Sequence, residues 1–102
     1  AMALKWGDLD PLQRLANESG DLYLRTNRPR EALAAFAETL RLDKRTQNPT
    51  FRIPAVLGLG RAQAALHDPA ASATLRQALE IAERQRNHVV AAEAHLELGR
   101  LE

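Results

Sequence analysis

The sequence predicts an all-α fold: antiparallel helix-turn-helix units stacked as a short right-handed solenoid of about five helices. Three observations carry this. Apolar residues recur at spacings of three and four along most of the chain, and no segment alternates as a half-buried strand would. Proline recurs where helices can begin, in Asp10-Pro11, Arg28-Pro29, Asn48-Pro49 and Asp68-Pro69, since its missing amide would be unpaired at the first helical position anyway. Glycine recurs at 20, 60 and 99, intervals of 40 and 39 residues, the mark of an internal repeat.

The first helix is expected over 11–26, capped by Asp10, with Leu12, Leu15, Ala16, Ser19, Leu22 and Tyr23 as its apolar series. The second is expected over 29–44 with Ala32, Phe36 and Leu40 facing the core; Arg28 is a poor cap for it. The third, over 50–66, has Ile53, Val56, Leu57, Gly60 and Ala64 on one face and Ala55, Leu59, Ala62 and Leu66 on another. A helix apolar on most sides is buried on most sides, which suits the middle of a stack. Pro54 should kink it or move its start to about residue 53. The fourth helix is expected over 69–86 with Ala71, Leu75, Ala78, Leu79 and Ala82 inward, and the fifth over 88–101. Short connections make sequential helices antiparallel.

These elements give one domain over 10–102, with pairs at about 10–45 and 49–86 and an incomplete third pair from 88. Residues 1–9 are expected to be a tag remnant and N-terminal extension, because Ala1-Met2 resembles an expression scar. A net charge of +1 supplies no field of one sign for nucleic acid or an anionic membrane. No apolar run approaches the ~20 residues of a membrane span, and no signal peptide is visible. Cysteine is absent, which removes disulfides, thiolate catalysis and cysteine-based zinc sites and fits a cytoplasmic location. All basic residues except Lys5 and Lys44 are arginine; with abundant alanine this suggests a GC-rich bacterial genome.

The motifs of catalysis are not found. His88 and His95 are seven apart but lack further ligands, and metal sites usually need three or four; His67 precedes Asp68 in a turn. Gly58-Leu59-Gly60 lies inside a helix without the lysine of a phosphate loop. Ser19 and Ser72 have no evident triad partners. Arg25, Arg28, Arg30, Arg41 and Arg45 cluster, but acidic residues are interleaved, so a solvated surface matched to the helix dipole is the reading. We expect no enzyme, no cofactor and no metal.

Glycine inside a helix costs about 1 kcal/mol against alanine, so Gly20 and Gly60 imply a close approach of the neighbouring helix backbone. Tyr23 and Phe36 are expected to meet in the core of the first pair. Gly20, Tyr23, Ala32 and Phe36, then Leu59, Gly60, Ala71, Leu75 and Ala78, then Leu98 and Gly99, together resemble the tetratricopeptide repeat family over roughly residues 10–102. Thr39 replaces the small residue after Phe36, Gln63 stands where the second aromatic belongs, and the period of about 40 exceeds the family's usual 34. Longer repeats of this kind are similar to those of bacterial multidomain regulators and kinesin light chains; the segment from Ala82 to Leu101 is especially similar to the former.

The resemblance implies a binding module within a larger bacterial regulatory protein, of the kind that regulates transcription. It places the partner on a concave face lined by the first helix of each pair: Arg14, Asn17, Asp21, Leu24 and Arg25, then Leu57, Arg61, Ala64 and Ala65, then Glu93, Leu96 and Arg100. The carboxylate clamp of chaperone-binding members is not expected, because its places read Asn17, Asp21, Gly58, Glu93 and Glu97. The expected partner is a protein or peptide, with no nucleic acid or membrane contact. The alternative is self-association of the parent chain. Val90, Ala94, Leu98 and Leu101 form one stripe of the last helix, while Val89, Ala92 and Leu96 lie off it, so either the helix belongs to a longer stack or it forms a homo-oligomer with another copy; the alternative is a cap solvated by Glu93, Glu97, Arg100 and Glu102.

Overall fold

The computed structural model describes residues 10–46 and 51–101. Among them run five helices: α1 (Asp10–Arg25), α2 (Pro29–Thr46), α3 (Arg52–Ala65), α4 (Ala71–Arg84) and α5 (His88–Leu101). The fold is all-α, with each helix packed on the next. The helix start at Asn48-Pro49 and the extension over 1–9 lie outside the described residues.

Local chemistry explains the boundaries. Asn27, His67 and Arg86 have positive φ of 61°, 57° and 55°. Each ends a helix in a Schellman turn: the Arg28 amide donates to the Tyr23 carbonyl, Asp68 to Gln63 and Asn87 to Ala82. Asn27 and His67 are 40 apart, so the glycine period recurs in the backbone. The same turns launch the next helices, which is why α2 starts at Pro29 despite a poor capping residue. Asn87 Oδ1 accepts the Val90 amide at 3.1 Å and caps α5. Asp68 Oδ1 accepts the Ala70 amide at 2.9 Å, and Pro69 and Ala70 form a turn, so α4 begins two residues later than the proline suggests. Pro54 falls in the first turn of α3, where its missing amide disturbs nothing.

The helices form two layers. The first helices of the pairs, α1, α3 and α5, are neighbours in one layer, whereas the backbones of α2 and α4 in the other layer stand farther apart. The stack therefore closes on the α1–α3–α5 side, which is its concave face. In the middle, α3 buries Ile53, Ala55, Val56, Leu57, Gly58, Gly60 and Ala62.

The glycines set the register. A methyl group on Gly20 would sit 2.6 Å from the Phe36 ring, and one on Gly58 would collide with the tip of the same ring. Phe36, fully buried, is held between two glycines from α1 and α3. A methyl on Gly60 would lie 2.6 Å from the Leu75 side chain, with the nearest backbone atom at 3.4 Å. The glycines thus make room for a side chain of the second helix, and not for its backbone as expected. Antiparallel packing around Gly60 and Leu75 sets Leu57 against Ala78, large against small, and the same register carries Ile53 toward Ala82 and Ala64 toward Ala71. In the first pair the contact of Gly20 with Phe36 places Leu24 opposite Ala32, Asn17 opposite Thr39 and Gln13 opposite Asp43. These last four polar residues are all buried, and Gln13 Nε2 donates to the Thr39 carbonyl at 3.5 Å. Tyr23 packs, half-buried, on the cluster of Ala32, Phe36, Ala55 and Ala62.

The apolar phase of α1 differs from expectation. Leu12, Leu15 and Leu22 are 52%, 61% and 53% exposed, while Gln13 and Asn17 face inward. The repeat supplies the reason. Leu15 and Leu22 correspond to Ala55 and Ala62, which α3 buries in the cluster built around Ala32 and Phe36 of α2. Among the described residues no helix precedes α1 to cover its leucines.

Candidate functional site

The concave layer carries a groove of about 510 Å³ lined by Asp21, Leu24, Arg25 and Arg61. The helical period brings Asp21, Leu24 and Arg25 to one side of α1, and α3 sets Arg61 across from them. Gly60, one residue before, faces Leu75, so Arg61 turns away from that seam toward the concave side.

Arg61 is the centre of the groove's electrostatics. It meets Glu93 Oε2 and Glu97 Oε1, each at 3.5 Å, and Glu97 also takes Arg100 Nη1 at 3.2 Å. Two arginines thus offset two glutamates across α3 and α5. Glu97 is only 14% exposed, while Glu93 and Arg100 are open to solvent at 42% and 65%. Ion pairs this long and this accessible are weak individually, so they can exchange for contacts to a ligand. Asp21 and Arg25 are both exposed and form no ion pair among the described residues. Leu24 is half-buried and gives the groove its apolar floor.

The expected partner face divides on this geometry. Asp21, Leu24, Arg25 and Arg61 come together, and Glu93 and Arg100 join through the ion-pair ladder. Arg14 is exposed on α1 and Ala64 half-buried on α3; neither lines the groove. Two positions are corrected. Leu57 is 3% exposed and belongs to the core cluster with Val56, Leu75, Ala78 and Ala94, because it faces Ala78 in the seam of the second pair. Asn17 is 8% exposed and turned toward α2, because it holds the equivalent place in the first pair. Leu96 is 57% exposed, but it lies opposite the buried Ala94 on α5, on the outer end of the stack. Of the clamp positions, Asn17 and Gly58 are withdrawn from the surface.

Reading the sequence missed Glu97 as a partner of Arg61, although its spacing of four from Glu93 puts both on one helix face. It also gave Gly58 no role; its two-residue distance from Gly60 points it at the previous pair and not the next.

Other charged side chains pair outside the groove. Arg41 donates to Glu38, and that hydrogen bond holds the Glu38 carboxyl below its ordinary range. Arg52 Nε binds Asp43 Oδ2 at 2.8 Å, tying α3 to α2. Arg84 pairs with Glu80. His88 and His95 border a shallow pocket with Glu83, Arg86 and Asn87, but no three metal-ligating side chains converge among the described residues. On the convex side, Leu40, Val56, Leu59 and Ile81 line a cleft of about 300 Å³ between α2 and α4. No described helix is long and apolar enough to cross a membrane. Comparison with family models, with curated proteins and with solved structures gives no significant match.

Proposed function

We propose that this chain is a tetratricopeptide-like interaction module that binds a protein or peptide partner on its concave face, as part of a larger bacterial regulatory protein. The observation that carries this is the groove of Asp21, Leu24, Arg25 and Arg61, where an apolar floor is ringed by charges of both signs. A ligand suited to it is an extended or helical segment with one apolar side chain for Leu24 and an acidic group for Arg25. Nothing in the groove resembles a nucleophile with its base or a paired acid and base, which supports binding over catalysis. Balanced charge supports a protein over a nucleic acid partner. Cytoplasmic location and a link to transcription regulation belong to the same proposal and rest on the resemblance alone.

Selection of peptides from a displayed library on the 102-residue chain tests this. Selected peptides should be enriched in an acidic residue near an apolar one. Arg25→Glu and Leu24→Glu should each weaken their binding by at least about tenfold, the loss of one good contact, without shifting the melting temperature by more than a few degrees. Peptides that bind both variants as tightly as the parent would contradict the assignment. The second reading, self-association, is favoured by a different surface.

A further inference from the structure

We infer that α5 is a self-complementary interface and that its occupant is the α5 of a second copy, packed antiparallel about a two-fold axis. The argument starts from the rule that governs packing inside the molecule. At the centre of the α3–α4 seam large faces small: Leu57 on Ala78 and Leu75 on Gly60. A glycine in the first helix is a slot, and the residue opposite is the knob.

The outer face of α5 repeats this pattern with nothing in it. The inner side packs on the rest of the stack through Val90, Ala94 and Leu98. Val89, Ala92, Leu96 and Gly99 lie on the opposite side and all four are exposed, Val89 at 69% and Leu96 at 57%. A methyl group on Gly99 would meet nothing within 4 Å, whereas the equivalent point on Gly60 is filled by Leu75. Gly99 is therefore a slot without its knob.

The knob is on the same face. In antiparallel order Val89 of one copy falls opposite Gly99 of the other, Ala92 opposite Leu96, Leu96 opposite Ala92, and Gly99 opposite Val89. Every large residue meets a small one, and the helices overlap along their whole length. Charge agrees with size. Glu93 and Arg100, which pair with Arg61 and Glu97 within the chain, border one edge of this face; side chains lean toward their own N-termini, so each Glu93 leans away from its counterpart across the two-fold and toward the Arg100 of the other copy. A patch that contacts its own counterpart in this way closes after two copies. The exposed leucines of α1, Leu12, Leu15 and Leu22, have no open glycine among them, because the point above Gly20 is filled by Phe36. One helix face is a small interface, so the dimer is weak and its population rises with concentration.

Sedimentation equilibrium of the 102-residue chain, taken up to millimolar concentration, provides the test. A monomer–dimer equilibrium is expected, with nothing larger. Gly99→Gln fills the slot without adding apolar surface, and Leu96→Gln removes a knob. Each should weaken dimerisation by about tenfold or more while the melting temperature holds or rises. Leu15→Gln, on α1, should leave the dimer unchanged. A strict monomer at every concentration overturns the proposal. So does a dimer that survives Gly99→Gln, a dimer lost with Leu15→Gln, or growth into longer head-to-tail assemblies. Peptide binding to the concave face is measured separately, so either result leaves that reading standing or falling by itself.

Discussion

Among the described residues four glycines sit inside helices, and their neighbours assign them different weights. Alanine is the better helix former by about 1 kcal/mol at any such position. At Gly20 and Gly58 that gain is outweighed, because each added methyl would meet the Cε1–Cζ end of the fully buried Phe36 ring. We expect Gly20→Ala and Gly58→Ala each to lower stability by about 1–3 kcal/mol through overpacking. Gly60→Ala should cost less, since the nearest atoms belong to the flexible end of Leu75. Gly99→Ala should raise stability by up to about 1 kcal/mol. Urea denaturation of the four variants checks the order; a uniform gain across all four would contradict the knob-and-slot account. The sequence shows that mid-helix glycines need a reason. It does not show which side chain fills each gap, because that depends on the phase of the next helix.

At the scale of the elements, helix positions were legible and helix faces only partly so. Proline and the three-four spacing located all five helix starts among the described residues to within two residues. The Schellman turns were hidden, because the residues at positive φ are Asn27, His67 and Arg86 and none is the glycine that usually marks such a turn. An L-residue in this conformation costs about 1–2 kcal/mol. His67→Gly and Arg86→Gly should therefore stabilise the fold by roughly 1 kcal/mol, after glycine's greater unfolded-state entropy is subtracted. Asn27→Gly should gain less, since asparagine tolerates the region. Thermal melts of the three variants decide this, and a loss of stability in Arg86→Gly would mean that its side chain supports the turn. The face of α1 was misjudged for a related reason. Hydrophobicity alone chose Leu12, Leu15 and Leu22, whereas the pairing with α2 buries Gln13 and Asn17. An amphipathic pattern reveals which residues avoid water, not which neighbour is present to cover them.

At the scale of the whole molecule, the described helices form a stack with a covered middle and with apolar side chains exposed on α1 and α5. The groove on its concave side spans the first two pairs, and the Arg61 ladder links it to α5. Half of this face was visible in the sequence, because a helical period fixes which residues of α1 lie together. Leu57 was not, since its burial follows from a register that only the Gly60–Leu75 contact sets. We propose this concave surface as the place where a protein partner docks. Amide chemical-shift mapping of the labelled 102-residue chain with a library-selected peptide tests it most directly. The account predicts perturbations concentrated at Asp21, Leu24, Arg25, Arg61, Glu93 and Glu97, spreading little into α2 or α4. Perturbations centred on the convex cleft, at Leu40, Leu59 and Ile81, with the Arg61 region unmoved, would contradict it.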